Sequence, residues 1–238
     1  MVEPATGNAQ QPPVQTKEPA IWLIAYNLIS GCLWSFVLLN VFATYFVFDR
    51  DLYVTFKYTR WWTTVVQSFA VIEIINAATG VVKSPLMTTT MQVLSRLLVV
   101  WGVWYIAPNA RGNYSYAYLT LHSAWAVTEV IRYYYYANHL MSQQNPLKGY
   151  KRHTVPSYLI WLRYNAFIIL YPLGISSECY MIYYALGYAL AMNTTAYTGY
   201  AFFLAVCLLA YIPGSIILFS HMVRQRAKTL KNTKTKKA

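Results

Sequence analysis

Three arginines and three glutamates lie within or beside stretches that are otherwise apolar: Arg96, Arg132 and Arg163, with Glu73, Glu129 and Glu178. A charge at the centre of a membrane helix costs about 2.5–3.5 kcal/mol on insertion scales, so such residues normally face a bundle interior and pair. Their formal charges cancel. Glu129 and Arg132, three apart, share a helix face and can pair directly. Structural pairing accounts for some of the set. Six together in 238 residues point to a polar cavity between helices. The most informative stretch runs Trp161-Leu162-Arg163-Tyr164 and then Tyr171-Pro172-Leu173-Gly174-Ile175-Ser176-Ser177-Glu178. Tyr171 and Glu178 are two helical turns apart, so a phenol and a carboxyl share one face, about 10 Å apart along a straight axis. An acyl chain passing between helices could meet both groups. Pro172 removes a backbone donor and clashes with the preceding turn, and Gly174 adds freedom, so a kink is expected there.

The elements that must hold these groups are membrane helices. Hydrophobic residues make up 57% of the chain and charged residues 11%, against about 25% charged in an average soluble domain. That excludes a disordered chain, a coiled coil and an ordinary cytosolic enzyme. Cys32, Cys179 and Cys207 all lie in apolar runs, which excludes a disulfide scaffold. The expected fold is all-α: a polytopic six-transmembrane helix bundle with a kinked fifth helix. Spans are predicted near Ile21–Phe48, Trp62–Val82, Leu86–Ala107, Tyr114–Leu140, Tyr158–Leu186 and Thr198–Met222, each long enough to cross a core that needs about 20 helical residues. One domain over 21–223 is expected between a polar, proline-bearing N-terminal segment, 1–20, and a basic tail, 224–238. No positively charged n-region precedes a short apolar core, so no cleavable signal peptide is expected.

Lys and Arg are biased between alternate loops. With a cytosolic N-terminus, Lys17, Lys83, Lys148, Lys151, Arg152 and seven tail residues face the cytosol, twelve against Arg50, Lys57, Arg60 and Arg111 opposite. The bias predicts both termini in the cytosol. The net charge of +12 is concentrated in the tail. Since that tail follows an apolar span, anionic lipid headgroups and not nucleic acid are its expected partner. Lys234 and Lys236 stand fifth and third from the end, as in dilysine-type retrieval signals of endoplasmic reticulum membrane proteins. Two glycosylation triplets, at Asn113 and Asn193, fall on the lumenal side.

These residues resemble the membrane 3-hydroxyacyl-CoA dehydratases of very-long-chain fatty-acid elongation, also called protein-tyrosine-phosphatase-like proteins. The resemblance runs over roughly residues 22–226. It is carried by Tyr26-Asn27, Glu73, Gly80, Ser84-Pro85, Gln92, Ser95-Arg96, Trp125, Thr128-Glu129, Arg132-Tyr133 and Tyr211-x-Pro213, and above all by the Tyr171-to-Glu178 motif with its upstream Trp161-Leu162-Arg163-Tyr164. It implies that Tyr171 and Glu178 are the catalytic pair, with Glu73, Gln92, Arg96, Glu129, Arg132 and Arg163 supporting the site or binding substrate. The family often carries His three residues after the second-span Glu, where this chain has Asn76. Cysteine-phosphatase chemistry is excluded, because Leu38, Ala185 and Pro213 stand where the loop arginine would follow each cysteine.

The implied reaction turns (3R)-3-hydroxyacyl-CoA into trans-2-enoyl-CoA, the third step of the microsomal elongation cycle. It removes a C2 proton and expels hydroxide from C3, which needs a base and an acid but no metal and no redox cofactor. Ordinary pKa values near 10 for Tyr and 4.3 for Glu suggest Glu178 as the base and Tyr171 as the acid; burial could raise the Glu value and reverse the roles, so both assignments stay open. Lys148, Lys151 and Arg152, with Arg163 one turn inside, could draw coenzyme A to the cytosolic mouth. Implied partners are acyl-CoA, membrane lipid and the elongase, ketoacyl reductase and enoyl reductase of the same cycle. Two rival readings are a small transporter, whose charges would line a path, and a non-catalytic scaffold. The first predicts an inverted repeat; the second leaves the Tyr171–Glu178 motif unexplained.

Overall fold

The computed structural model describes residues 21–82, 84–144 and 152–235. The segment 1–20, the loop lysines Lys148 and Lys151, and the last three residues of the tail lie outside them. Among the described residues the chain is helical, with no strand. Helix α1 is Ile21–Phe42 and widens into a π-helical stretch, Ala43–Val47. Helices α2, Leu52–Ser68, and α3, Val71–Ala78, follow. Helix α4, Leu86–Leu97, passes through a second π stretch, Leu98–Val103, into the short α5, Trp104–Ile106. Helix α6 is Tyr116–Gln143, α7 Ser157–Asn165, α8 Phe167–Ala191 and α9 Thr195–Thr235.

Asp51 starts α2 by accepting the Val54 N–H at 2.7 Å, and Ser115 caps α6 in the same way through Ala117 N at 3.3 Å. Side-chain caps at these positions satisfy donors that a helix start leaves orphaned. Helix α6 runs through the middle, packed along α1 on one side and α8 on the other, and α9 lies against α8. The core between them includes Trp34, Val99, Trp104, Trp125, Met181 and Ile182. A polar seam ties α2 to α6. Thr59 and the Tyr118 hydroxyl are 2.8 Å apart, as are Thr63 and His122 Nε2, and the other His122 nitrogen meets its own helix at Tyr118 O.

Six crossings are predicted by the sequence. By length and apolar composition three helices among the described residues qualify: Ile21–Val47, Leu86–Ile106 and Thr195–Thr229, with a fourth if α7 and α8 count as one bent span. The predicted second span is divided at Phe69–Ala70 into α2 and α3. The predicted fourth span, α6, has the length, 28 residues. Its composition is too polar, with buried His122 and Glu129, because its neighbours are other helices and not lipid.

The kink also differs from expectation. Helix α8 stays continuous with Pro172 inside it, and the chain turns by 44° at Ala166 between α7 and α8. The missing N–H of a proline orphans the carbonyl four residues earlier, here Ile168, so its distortion falls on the N-terminal side of the ring. Gly174 is packed and not a hinge: a Cβ there would stand 3.4 Å from Ala124 Cβ. Finally, α9 does not stop near Met222. Its 41 residues make about 60 Å of helix, twice the roughly 30 Å of a hydrocarbon core, and its basic end packs against α7, where Arg226 donates to Asn165 Oδ1 at 3.0 Å.

Candidate active site

Between α4, α6, α8 and α9 lies a cavity of about 580 Å³, within the roughly 300–1,000 Å³ of small-molecule sites. Helix α8 lines it with Tyr171, Gly174, Ile175 and Glu178, the three-and-four spacing of one helix face. The shared face read from the sequence therefore opens on a single space. Met91, Leu94, Leu98, Leu170, Leu218 and Met222 supply apolar walls.

Glu178 is buried, with 5% of its surface exposed. Its Oε1 accepts the Trp125 indole N–H at 2.8 Å and its Oε2 accepts the Tyr211 hydroxyl at 2.7 Å. An indole nitrogen only donates, so the carboxyl is presented as an acceptor. No cation among the described residues forms an ion pair with it. The Tyr171 hydroxyl donates to the main-chain carbonyl of Ser215 at 3.1 Å, and its ring lies 5.8 Å from that of Phe219. Tyr211 and Ser215 are one turn apart on α9. Successive turns of that helix thus hold the two candidate reactive groups.

Helix α4 adds Gln92 and Arg96, one turn apart and both at the cavity wall. Arg96 lies over the Trp125 ring at 5.4 Å and is hydrogen-bonded to Glu129. From Glu129 the network turns away from the cavity. Arg132 donates to Glu129 Oε2 at 2.7 Å and to Glu73 Oε2 at 2.7 Å, and Tyr133 donates to Glu73. Two arginines and two glutamates from α3, α4 and α6 therefore compensate one another. Arg163 joins neither group. It donates to the Tyr136 hydroxyl at 3.3 Å, and it lines a separate, smaller pocket.

Of the eight site residues named from the sequence, four line the cavity: Gln92, Arg96, Tyr171 and Glu178. Glu129, Arg132 and Glu73 stand behind it. Sequence reasoning assigned no role to Trp125, Tyr211 or the Ser215 carbonyl. Tyr211 is one of twenty-three tyrosines, and Tyr211-x-Pro213 was its only signal. Of the two glycosylation triplets, Asn113 is fully buried and donates to the Ala107 carbonyl at 2.9 Å, which removes it as an acceptor site. Asn193 is exposed in the turn between α8 and α9.

The chain matches the family described as Protein tyrosine phosphatase-like protein, PTPLA, over residues 67–232. It is 34% identical over 219 residues to a probable very-long-chain (3R)-3-hydroxyacyl-CoA dehydratase of Schizosaccharomyces pombe, covering 88% of this chain and 93% of that one. It is 33% identical over 228 residues to a very-long-chain (3R)-3-hydroxyacyl-CoA dehydratase of Caenorhabditis elegans, covering 91% and 97%. The dehydratase PASTICCINO 2 of Arabidopsis thaliana is 34% identical over 179 residues, covering 71% and 75%. No solved structure gives a significant match.

Proposed function

The chain belongs to the protein tyrosine phosphatase-like, PTPLA, family, and from that membership we propose that it is a membrane hydro-lyase that dehydrates very-long-chain (3R)-3-hydroxyacyl-CoA to trans-2-enoyl-CoA in fatty-acid elongation. The observation that carries the mechanism is the position of Tyr171 and Glu178 on one wall of one cavity with apolar sides.

Glu178 is buried, but the two donors Trp125 and Tyr211 stabilise its carboxylate form, so it acts as the base and takes the proton from C2. The C2–C3 double bond forms as the C3–O bond breaks. Tyr171 leaves the Ser215 carbonyl and gives its proton to the departing hydroxyl, so water is released. Return of the proton from Glu178 to the Tyr171 phenolate resets the site. Gln92 and Arg96, on the α4 wall, are the N–H donors placed to meet charge developing on the thioester oxygen. The acyl chain extends along Leu94, Leu98 and Phe203. A transport path would need charges strung along a pore, whereas four of the six ionic residues close on one another.

We read residues 21–223 as one six-span domain in the endoplasmic reticulum membrane, with cytosolic segments 1–20 and 224–238, working beside the elongase and the two reductases of the cycle. The twelve-to-four distribution of Lys and Arg and the Lys234/Lys236 pair support this. Purified protein in detergent, given a long-chain 3-hydroxyacyl-CoA, is expected to yield the trans-2-enoyl product without added metal or nucleotide. In sealed microsomes, added protease is expected to remove a tag placed after Ala238. No enoyl product overturns the reaction; a protected tag overturns the orientation.

A further inference from the structure

Where α9 passes α7 lies a second pocket of about 300 Å³, lined by Tyr135, Tyr136, Arg163, Tyr164, Gln225 and Lys228 among others. Its chemistry is unlike that of the first. Among the described residues no acid lines it, and no ion pair reaches Arg163 or Lys228. Arg163 is held instead by the neutral Tyr136, whose ring it also overlies at 5.6 Å. Arg226, on the adjoining turn of α9, is likewise held by a neutral group, Asn165 Oδ1, at 3.0 Å. Uncompensated guanidinium and ammonium groups beside aromatic rings suit a phosphate ester that carries a planar base.

The residues that line the two pockets follow one another along the same helices. On α9 the lining residues continue without a break from Tyr211, Gly214, Leu218 and Met222 to Gln225 and Lys228, every three or four residues. On the facing side they run from Glu178, Gly174, Tyr171 and Phe167 across the bend at Ala166 to Tyr164 and Arg163. Along α9, Gln225 and Lys228 are about 15 and 20 Å from Ser215. The pantetheine arm of coenzyme A has about thirteen bonds from sulfur to the first phosphorus. At three bonds per 3.3–3.6 Å of extended chain it spans about 15 Å. A thioester at Tyr171 and Glu178 therefore brings the phosphates to this pocket.

We propose that the second pocket binds the nucleotide end of the acyl-CoA substrate, with phosphate on Arg163 and Lys228, adenine against the Tyr135 and Tyr164 rings, and the pantetheine arm lying past Leu218 and Met222. The proposal rests on the dehydratase reading of the first cavity. Phosphate could also come from a lipid headgroup, so the test separates the sources.

Lys228 is exposed, so its replacement leaves the fold intact. Wild type and Lys228→Ala, in detergent free of phospholipid, are each given a 3-hydroxyacyl-CoA and the same acyl group on pantetheine, which lacks phosphate and adenine. The variant is expected to raise KM for the CoA thioester about tenfold, the loss of one charge-assisted contact. Its preference for the CoA over the pantetheine thioester, as a ratio of kcat/KM, shrinks by the same factor. Lys228→Glu is expected to go further. Equal loss on both substrates, or none on the CoA thioester, overturns the proposal. So does a variant that keeps its CoA preference but loses retention on anionic phospholipid vesicles, since that marks a headgroup site. If wild type turns over neither thioester, the dehydratase reading fails by itself. Binding of adenosine 3′,5′-bisphosphate then decides the pocket separately: weakening by Lys228→Ala upholds it, and no binding to wild type overturns it.

Discussion

Glu129 and Glu178 are both buried carboxylates in the centre of the same bundle, 4% and 5% exposed, yet their surroundings differ in kind. Glu129 sits between Arg96 and Arg132 and belongs to a closed set that extends to Glu73 and Tyr133. Glu178 meets only neutral donors, Trp125 and Tyr211, and faces open space. A carboxylate enclosed by two guanidiniums has no free face for a ligand, and removing one partner strands the others. A carboxyl held by neutral donors at a cavity wall can still exchange a proton. One residue type is thus held in two different ways, by cations at Glu129 and by neutral donors at Glu178.

The comparison breaks if the two regions respond alike to substitution. The largest effect is expected at Tyr171 and Glu178. Tyr171→Phe keeps the ring and Glu178→Gln keeps the size, and each is expected to lower turnover about 100-fold or more, as removal of a general acid or base does. Thermal unfolding in detergent should hardly move. The double variant should be little worse than the worse single one, because groups acting as a unit are strongly non-additive. The converse is expected at Arg132→Ala, which leaves the buried Glu129 and the half-buried Glu73 short of a cation. A stability loss of about 3–5 kcal/mol is expected, read as a lowered Tm and poor yield. Turnover per folded molecule should change far less than for Glu178→Gln.

Tyr211→Phe sharpens the contrast further. It removes one of the two donors to Glu178, and a hydrogen bond to a charged group is worth about 1.5–3 kcal/mol. Turnover is expected to fall about tenfold or somewhat more with little change in KM. Ser176→Ala is the control with the smallest effect: its exposed hydroxyl bonds only to the Leu173 carbonyl of its own helix, and stability should stay within about 0.5 kcal/mol. Loss of activity there equal to that at Tyr171 would mean that the whole turn, and not the phenol, is being read.

Much of this contrast was legible in the sequence, and the rest was not for a definite reason. Helical periodicity places Tyr171 and Glu178 on one face, and the cost of burying charge marks all six ionic residues. Periodicity says nothing about which helix lies beside which. So the sequence could pair Glu129 with Arg132, three residues away, but not with Arg96 on α4. It could not tell that Arg163 would find Tyr136 and no carboxylate. Nor could it distinguish Tyr211 from its many fellow tyrosines, since its role depends on α9 lying against α8. The bend misled for a local reason. Proline and glycine two residues apart read as a hinge, but Gly174 is small because Ala124 is close. The helical reach of α9 past Met222 is hidden because the apolar run ends there, and hydropathy marks where a span stops but not where a helix does.

The hydroxyl of Tyr171 rests on a main-chain oxygen, Ser215 O, and main chain is the one part of a protein that side-chain replacement leaves untouched. A residue-by-residue scan of α9 would find position 215 silent, since Ser215→Ala keeps the carbonyl. Register is what that docking depends on. One residue inserted between Tyr200 and Tyr211 would turn everything beyond it by about 100° and slide it by 1.5 Å, carrying the Ser215 carbonyl and the Tyr211 hydroxyl out of place together. The docking of Tyr171 is therefore tolerant of a spelling change at position 215 and intolerant of a change in the length of α9.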